Sequence, residues 1–333
     1  DSFLNEQVKD NYSIASPQEK PQWLQEVTSQ LGQDVIRSIN NSVAVTSTSI
    51  FSVALLTSTT QAMSEEDLAE RMSFFLNLIE ASPDYKDVWI TQKEVKEMIS
   101  KTEKLGFIQP TLIASKKIYR PTSDQIATLS FYKNNIAHLY MLYSLICESV
   151  KFVKRAPKQE IINLIEMIYP IFAKDFHLKK KIIHQGDVAD TIDILKNNGL
   201  LNEDGKGNIL SPDENSPYFQ NYIALSNLCE PSLKRFYIVM HTMWQSESTQ
   251  KEDLNTRCKE LAENLEEIEG WPYPEFSDKA KFNNFVYMMK ETKFFKEDES
   301  GYLSASKITK RAKKLYEQFF DKDFLEFIDT RTS

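Results

Sequence analysis

The sequence predicts a mainly α-helical protein with short β-hairpins, arranged as three tandem winged-helix-like repeats of about 93 residues. Two sets of equivalent positions support this fold class: helix ends at Gly106, Gly199 and Lys293, and the first apolar residues of acidic helix starts at Leu68, Ile161 and Leu254. Successive members of each set lie 93 or 94 residues apart. A third observation is the Gly-rich turn at 204–207, which joins two extended runs as hairpin turns do.

The composition describes a chain that can bury a large core and carries an acidic surface. It has 333 residues, 41% of them hydrophobic, and a net charge of −8, which argues against a nucleic-acid partner. The longest uncharged apolar run, 136–147, is shorter than the roughly 20 residues that cross a bilayer. No cofactor or metal motif occurs. Cys147, Cys229 and Cys258 are set in apolar helical patterns and are predicted to be reduced core thiols.

The chain is predicted to begin with a linker and a single helix. Residues 1–22 are polar, contain two prolines and show no periodicity, which is typical of a linker. From Trp23, apolar residues recur at every fourth position as far as Asn40, which predicts an amphipathic helix. This helix and the first repeat together make up residues 23–121. Since the chain starts without a methionine, we expect it to be part of a longer protein.

The first repeat is predicted to contain three helices followed by an extended region. An apolar run at 49–57 forms the first helix, and Ser64 caps the second. Thr91 and Glu94 have the spacing of a capping box, so we expect them to begin the third helix, which stops at Gly106. The extended region that follows covers 112–119.

The second repeat, residues 122–212, and the third, residues 213–305, are predicted to follow the same order. The helices of the second are expected at 123–154, 158–173 and 187–198, with a hairpin at 200–210. Those of the third are expected at 217–245, 251–268 and 277–292, with a hairpin at 294–304. One charged C-terminal helix, 306–328 within the last segment 306–333, completes the chain.

Helix, capped helix, helix and hairpin is the order of a winged-helix module, whose third helix often reads the major groove of DNA. In the second repeat that helix presents Asp187, Asp190 and Asp193, which repel phosphate. We therefore predict modules used for packing rather than for binding DNA.

One helix carries polar side chains that are costly to bury without partners. In the run FYKNNIAH, Asn134 and His138 are four residues apart and share a helix face, with Asn135 beside them. Two interpretations stay open: a hydrogen-bonded cluster between helices, and a contact to a ligand or to a neighbouring catalytic domain.

The other histidines form no catalytic pattern. His177 and His184 flank the basic run 179–181, which is interpreted as a solvated connector, with an anionic partner as the alternative. His241 lies among apolar residues and is predicted to be a core residue. No catalytic residue is assigned.

Several blocks resemble the C-terminal half of bacterial membrane glycerol-3-phosphate 1-O-acyltransferases. The run FYKNNIAHLYMLYSLI, residues 131–146, is similar to a helix of that family. Further blocks at 23–56, 166–172 and 274–282 resemble other family segments in the same order. The resemblance extends from residue 23 to about residue 320.

The resemblance implies a parent enzyme that transfers an acyl group from acyl-carrier protein or coenzyme A to glycerol 3-phosphate, giving lysophosphatidate in the first step of phospholipid synthesis. It implies a peripheral position on the cytoplasmic face of the bacterial inner membrane. The family uses a His-x-x-x-x-Asp pair for proton transfer. The residues five positions after the four histidines are Tyr143, Ile182, Ala189 and Ser246.

We therefore expect the catalytic domain to lie upstream of this chain, which is predicted to be inactive alone and to brace that domain at the membrane. Asn134, Asn135 and His138 are the candidate residues for this interface or for a position near the ligand. The alternative is a free-standing tandem winged-helix scaffold that binds protein or nucleic acid.

Overall fold

The structure is a computed structural model that describes residues 22–60, 62–269, 276–309 and 316–332. The predicted linker therefore lies outside the described residues except for Gln22. The protein is mainly helical with small sheets, as predicted. It divides into two compact units, one ending at Ile39 and one beginning at Asn40.

The first unit contains nearly all of helix α1, Gln22–Asn41, which confirms the predicted amphipathic helix. Its apolar stripe is exposed to solvent: Leu31 is 61% exposed and Ile39 is 63% exposed, with Val35 between them. No described helix is long and apolar enough to cross a membrane.

The first helical group of the second unit contains three helices and a three-stranded sheet. Thr46 and Ser64 cap the first two helices through their side chains, the second as predicted. The strand Met63–Ser64 pairs with the last strand of a hairpin, with Met63 opposite Tyr119. The elements are β1 (Ala44–Val45), α2 (Ser47–Leu56), β2 (Met63–Ser64), α3 (Glu65–Ala81), β3 (Trp89–Ile90), α4 (Val95–Lys104), β4 (Thr111–Ile113) and β5 (Lys116–Tyr119).

The capping box predicted at Thr91 is wrong. Helix α4 begins at Val95 with Glu94 as its N-cap residue, and no side chain caps it. The backbone N–H of Thr91 instead donates to the carbonyl of Val45 over 3.1 Å, which extends the parallel pair of β1 and β3. A tertiary strand pairing thus overrides a local capping pattern.

The second helical group repeats this order, but the helix predicted over 123–154 is broken. A 3-10 turn, His138–Tyr140, separates two α-helices. Both ends of this turn are held by distant backbone: the Tyr140 hydroxyl donates to the Phe75 carbonyl over 3.1 Å, and the His138 ring bonds to Asn40. The elements are α5 (Ser123–Ala137), α6 (Met141–Lys151), β6 (Arg155–Pro157), α7 (Lys158–Asp175), α8 (Gln185–Asn197), β7 (Asn202–Glu203) and β8 (Asn208–Leu210).

The third helical group also begins with a broken helix, so the single helix predicted over 217–245 is wrong. Residues 227–229 separate two helices. The Cys229 N–H donates to the Ser144 hydroxyl, and Pro231 has no N–H to continue the helical hydrogen bonds. The elements are α9 (Phe219–Ser226), α10 (Glu230–Trp244), α11 (Lys251–Glu269), α12 (Lys279–Glu291), β9 (Phe295–Glu297) and β10 (Leu303–Ala305).

The C-terminal helix predicted over 306–328 is also interrupted. A turn at 318–320 precedes α13 (Lys322–Thr332), and the Asp321 carboxylate accepts from the N–H of Phe324 over 2.7 Å in its first turn. A local capping contact thus starts a new helix here.

The same order of helix, short strand or bridge, two helices and hairpin occurs in all three groups. In each, the segment before the second helix pairs with the hairpin's second strand, through Met63 with Tyr119, Ala156 with Ile209, and Thr249 with Leu303. The three predicted helix ends share a positive φ: 78° at Gly106, 71° at Gly199 and 63° at Lys293. Buried apolar residues of the three groups form one cluster, which includes the three cysteines.

Candidate functional site

Helix α5 presents two of the three candidate residues on its exposed face. The helix starts with a capping box formed by Thr122 and Gln125. Asn134 and Asn135 are exposed beside Phe131, whose side chain is 65% exposed. These three residues are spaced i, i+3 and i+4 and so lie on one side of the helix. An exposed aromatic ring next to two amides forms a surface that can bind protein.

His138 lies one helical turn further along the same stripe but is buried, with 6% of its surface exposed. Its ring Nε2 is 3.2 Å from the backbone oxygen of Asn40, so Nε2 carries the proton of this hydrogen bond. Asn40 is held in turn by its side-chain amide, which donates to the carbonyl of Phe176 over 3.0 Å. The structure therefore separates His138 from the two asparagines, which remain at the surface.

Burial lowers the pKa of His138 to about 4, although the hydrogen bond to Asn40 opposes the shift. The imidazole is therefore neutral near pH 7, and its Nδ1 keeps a lone pair that can accept a hydrogen bond. The described residues supply no hydrogen-bond donor to this nitrogen. A neutral ring whose Nε2 is already bonded can act here as an acceptor.

A cavity of about 70 Å³ opens beside His138, between the first and second helical groups. We call it the His138 cleft. Tyr85 comes from the turn after α3, Tyr169 from α7 and Lys180 from the connector before α8. The Tyr169 hydroxyl donates to the carbonyl of Lys180 over 3.2 Å, and that of Tyr85 donates to the carbonyl of His138 over 3.4 Å. Burial raises the pKa of both phenols, so both stay protonated.

Lys180 closes one end of the cleft through two ion pairs. Its Nζ is 2.9 Å from Asp84 Oδ2 and 2.8 Å from Asp187 Oδ1. The hydrogen bond from Lys180 is the main cause that lowers the pKa of Asp187, although partial burial opposes it. Of the two interpretations of 179–181, Lys180 follows the one with anionic partners, which are carboxylates of this chain. Sequence reasoning missed Tyr85, Tyr169 and Lys180, because they come from separate segments that only the fold brings together.

A second polar cluster lies between the second and third helical groups. We call Glu148, Lys151, Glu230 and Lys234 the Glu148 cluster. Lys151 Nζ is 3.3 Å from Glu148 Oε2 and 3.2 Å from Glu230 Oε2, and Lys234 Nζ is 3.2 Å from Glu230 Oε1. Two acidic side chains thus face two ammonium groups.

The Glu148 cluster is largely buried. The Glu148 side chain is 1% exposed, and burial raises its pKa to about 8 although Lys151 opposes the shift. Nearby, the Ser144 hydroxyl donates to the carbonyl of Ser226 over 3.2 Å and accepts from the Cys229 N–H over 3.0 Å. This cluster joins helices of the second and third groups.

The remaining histidines do not form an accessible acid–base pair. His241 Nε2 is 3.4 Å from Asp329 Oδ1, but the imidazole is fully buried, which confirms its prediction as a core residue. The backbone N–H of His184 donates to Asp187 at the start of α8. Within the described ranges, no group of three or more His, Cys, Asp or Glu side chains is placed to hold a metal ion.

The sequence is similar to glycerol-3-phosphate acyltransferases. A family model described as the C-terminal region of glycerol-3-phosphate acyltransferase matches residues 1–298. A glycerol-3-phosphate acyltransferase of Alteromonas mediterranea is 29% identical over 295 residues, which cover 88% of this chain and 36% of the relative. One from Pseudomonas fluorescens is 26% identical over 291 residues, covering 86% and 35%. The chain thus spans little more than a third of the length of these relatives.

Proposed function

The chain belongs to the family of the glycerol-3-phosphate acyltransferase C-terminal region, and we propose that it is a non-catalytic region that braces the catalytic domain of such an enzyme. The parent reaction transfers an acyl group from acyl-carrier protein or acyl-coenzyme A to glycerol 3-phosphate and yields lysophosphatidate. The whole enzyme acts peripherally at the cytoplasmic face of the bacterial inner membrane. We assign this reaction and this location to the whole enzyme, of which this chain would be one region.

The environment of the histidines supports a non-catalytic role. A general base needs an imidazole within reach of the substrate and oriented by a partner. His138 is buried with Nε2 bonded to a backbone carbonyl, and His241, the histidine paired with a carboxylate at 3.4 Å, is fully buried. His138 is a weak base because its pKa is about 4, and the fully buried His241 offers no exposed surface to an alcohol.

We interpret the three helical groups as winged-helix modules. Two kinds of side-chain contact occur in both the second and the third group, in addition to the strand pairing that all three groups share. Lys196 pairs with Glu203 as Lys290 pairs with Glu297, each linking the third helix to its hairpin. The turn carboxylates at Asp204 and Asp298 each accept from two backbone N–H groups of their own turn.

Repeated turn and ion-pair chemistry at one period is what a duplicated module retains. The exposed third helix of the second group carries Asp190 and Asp193, which favours protein partners over nucleic acid.

The exposed face of α5 is the observation that carries the bracing role. Phe131, Asn134 and Asn135 share this face, while Leu129 and Ile136 on the other side are buried. Phe131 exposes most of its ring to solvent, and aromatic residues flanked by polar groups are enriched in protein interfaces. The face thus has the composition of a domain contact.

A chimera tests this proposal. The matched region of the Alteromonas mediterranea acyltransferase is replaced by this chain, and acyl transfer to glycerol 3-phosphate is measured. Asn134→Leu is expected to lower activity at least about tenfold, because a displaced catalytic domain loses its alignment. In the isolated chain the same change should alter the unfolding free energy by less than about 0.5 kcal/mol, as exposed positions usually do.

The matched control is Asn163→Leu, which changes an exposed asparagine on α7. It should leave activity within about twofold of the chimera, since it lies outside the proposed contact. Unchanged activity in Asn134→Leu contradicts the bracing role. A loss of several kcal/mol in the isolated chain instead assigns Asn134 to an internal network.

A further inference from the structure

We propose that the His138 cleft is a receptor for one arginine side chain, supplied by a protein segment that lies outside this chain. The bracing role does not specify the side chains of the other segment that contact this chain, and the cleft indicates one of them. The identity of that segment as part of the acyltransferase rests on the proposed function, whereas the receptor itself rests on the geometry of the cleft.

The cleft offers more hydrogen-bond acceptors than donors. His138 Nδ1 keeps its lone pair because Nε2 is bonded to Asn40 at 3.2 Å. The hydroxyls of Tyr85 and Tyr169 donate their hydrogen bonds to backbone carbonyls, so each oxygen can still accept a hydrogen bond. A guanidinium group brings five N–H donors and no acceptor. It therefore matches an acceptor-lined cleft better than a hydroxyl or an amide does.

The charge of the cleft also favours a cation. Asp84, Asp187 and Asp190 line it against Lys179 and Lys180, and the neutral His138 adds nothing to this balance. One negative charge therefore remains. Lys180 joins Asp84 to Asp187. Asp190 is exposed at the rim, one turn along α8 from Asp187. An incoming cation meets this carboxylate at the rim of the cleft.

The size of the cleft selects a side chain rather than a substrate. A cavity of about 70 Å³ has room for about five water-sized groups, since one water needs on the order of 10–15 Å³ of such space. The planar head of an arginine fits this space. An acyl chain or a coenzyme A arm does not.

The surface leading into the cleft indicates a protein source for the arginine. Phe131, Asn134 and Asn135 share the exposed face of α5, and the buried His138, which lines the cleft, follows one helical turn after Asn134. A segment docked on Phe131 reaches His138 after two helical turns, about 10 Å. The relatives contain nearly twice as much further chain as this region, which can supply such a segment.

Histidine-selective NMR tests the receptor directly. The chain is labelled with ¹⁵N-histidine and titrated with N-acetyl-arginine-N-methylamide, and the His138 Nδ1 resonance is followed. We expect a saturable shift, because Nδ1 gains a hydrogen-bond donor. N-acetyl-citrulline-N-methylamide has the same shape without the charge and should bind at least about tenfold more weakly, a difference worth one lost charge contact.

Two variants on α8 provide the matched control. Asp190→Asn should raise the dissociation constant of the blocked arginine about threefold or more, since it removes the charge at the rim. Asp193→Asn changes a carboxylate on the same helix that pairs with Lys158 and Lys196 outside the cleft, and should leave the constant unchanged.

Three outcomes overturn the receptor: no saturable shift at His138, equal binding of the citrulline compound, or equal binding of N-acetyl-lysine-N-methylamide. The two proposals fail separately. Arginine binding together with a silent Asn134→Leu chimera refutes the bracing role alone. A sensitive chimera without arginine binding refutes the receptor alone.

Discussion

The His138 cleft and the Glu148 cluster both place polar groups between helical groups, yet they satisfy them differently. At the Glu148 cluster, Lys151 contacts two acidic side chains and Glu230 contacts two ammonium groups. At the His138 cleft, His138, Tyr85 and Tyr169 line a cavity, and their ring nitrogen and phenol oxygens keep unused acceptor capacity. In the first arrangement the charged groups pair with one another within this chain, and in the second we propose that a side chain from another segment supplies the missing donors.

This difference separates structural from functional polar residues without reference to conservation. Buried charges that pair with each other in a closed space hold helices in register, and removing one partner leaves the other uncompensated. Acceptors that open to a cavity contribute little to folding and remain available for a ligand. We therefore expect changes in the Glu148 cluster to act on stability and changes around the His138 cleft to act on binding.

The largest expected effect is at the Glu148 cluster. Lys151→Met removes the cation that contacts both Glu148 and Glu230, so both acidic side chains lose their contact with this ammonium group. Removing one partner of a buried pair typically costs about 3–5 kcal/mol. Urea denaturation of the isolated chain at pH 7 measures this change. A loss below about 1 kcal/mol, which is the range of exposed ion pairs, contradicts the assignment of these side chains to a buried cluster.

The pH dependence of stability tests the His138 cleft. Burial lowers the pKa of His138 from 6.5 to about 4, so the unfolded chain takes up the proton first. The contribution is fully present above about pH 6.5 and is lost as the pH falls toward 4. The loss amounts to at most about 3 kcal/mol.

The difference in unfolding free energy between the wild type and His138→Gln, measured from pH 7 to pH 4, isolates this term. A difference that does not vary with pH contradicts a buried neutral imidazole.

A smaller effect compares the ends of the third helices in the first and second groups. A Cβ on Gly199 would lie 2.6 Å from the ring of Tyr218, which precedes α9, whereas a Cβ on Gly106 meets nothing within 4 Å. Both glycines have a positive φ, so alanine costs about 1–2 kcal/mol at either position. Gly199→Ala should cost about 1–3 kcal/mol more than Gly106→Ala, because the Tyr218 ring must move. Equal melting temperatures for the two variants refute this packing difference.

The sequence predicted the helices and hairpins well where one face is apolar and the other polar. It missed the breaks at 138–140 and at 227–229, because the apolar pattern continues through both and the interruptions come from distant partners, Asn40 and Ser144. Strands of two or three residues, such as β2 and β6, are too short to show alternation.

The candidate site was only partly predictable. The run at 131–138 marked Asn134, Asn135 and His138 because polar groups interrupt an apolar helix. The cleft itself joins His138 to Tyr85, Tyr169 and Lys180, which lie at least 31 residues away from it along the chain. No local pattern connects such residues, since their proximity is a property of the folded state.

Hydrogen–deuterium exchange, comparing the isolated chain with the chimera, tests the contrast between the two junctions most directly. We expect slower exchange in the chimera for peptides covering 82–85, 131–143 and 178–191, where the catalytic domain and its arginine would dock. Peptides covering 144–151 and 226–234 should exchange equally in both proteins, because the Glu148 cluster is already largely buried in the isolated chain. Equal exchange at the first set, or new protection confined to the second, would contradict the account.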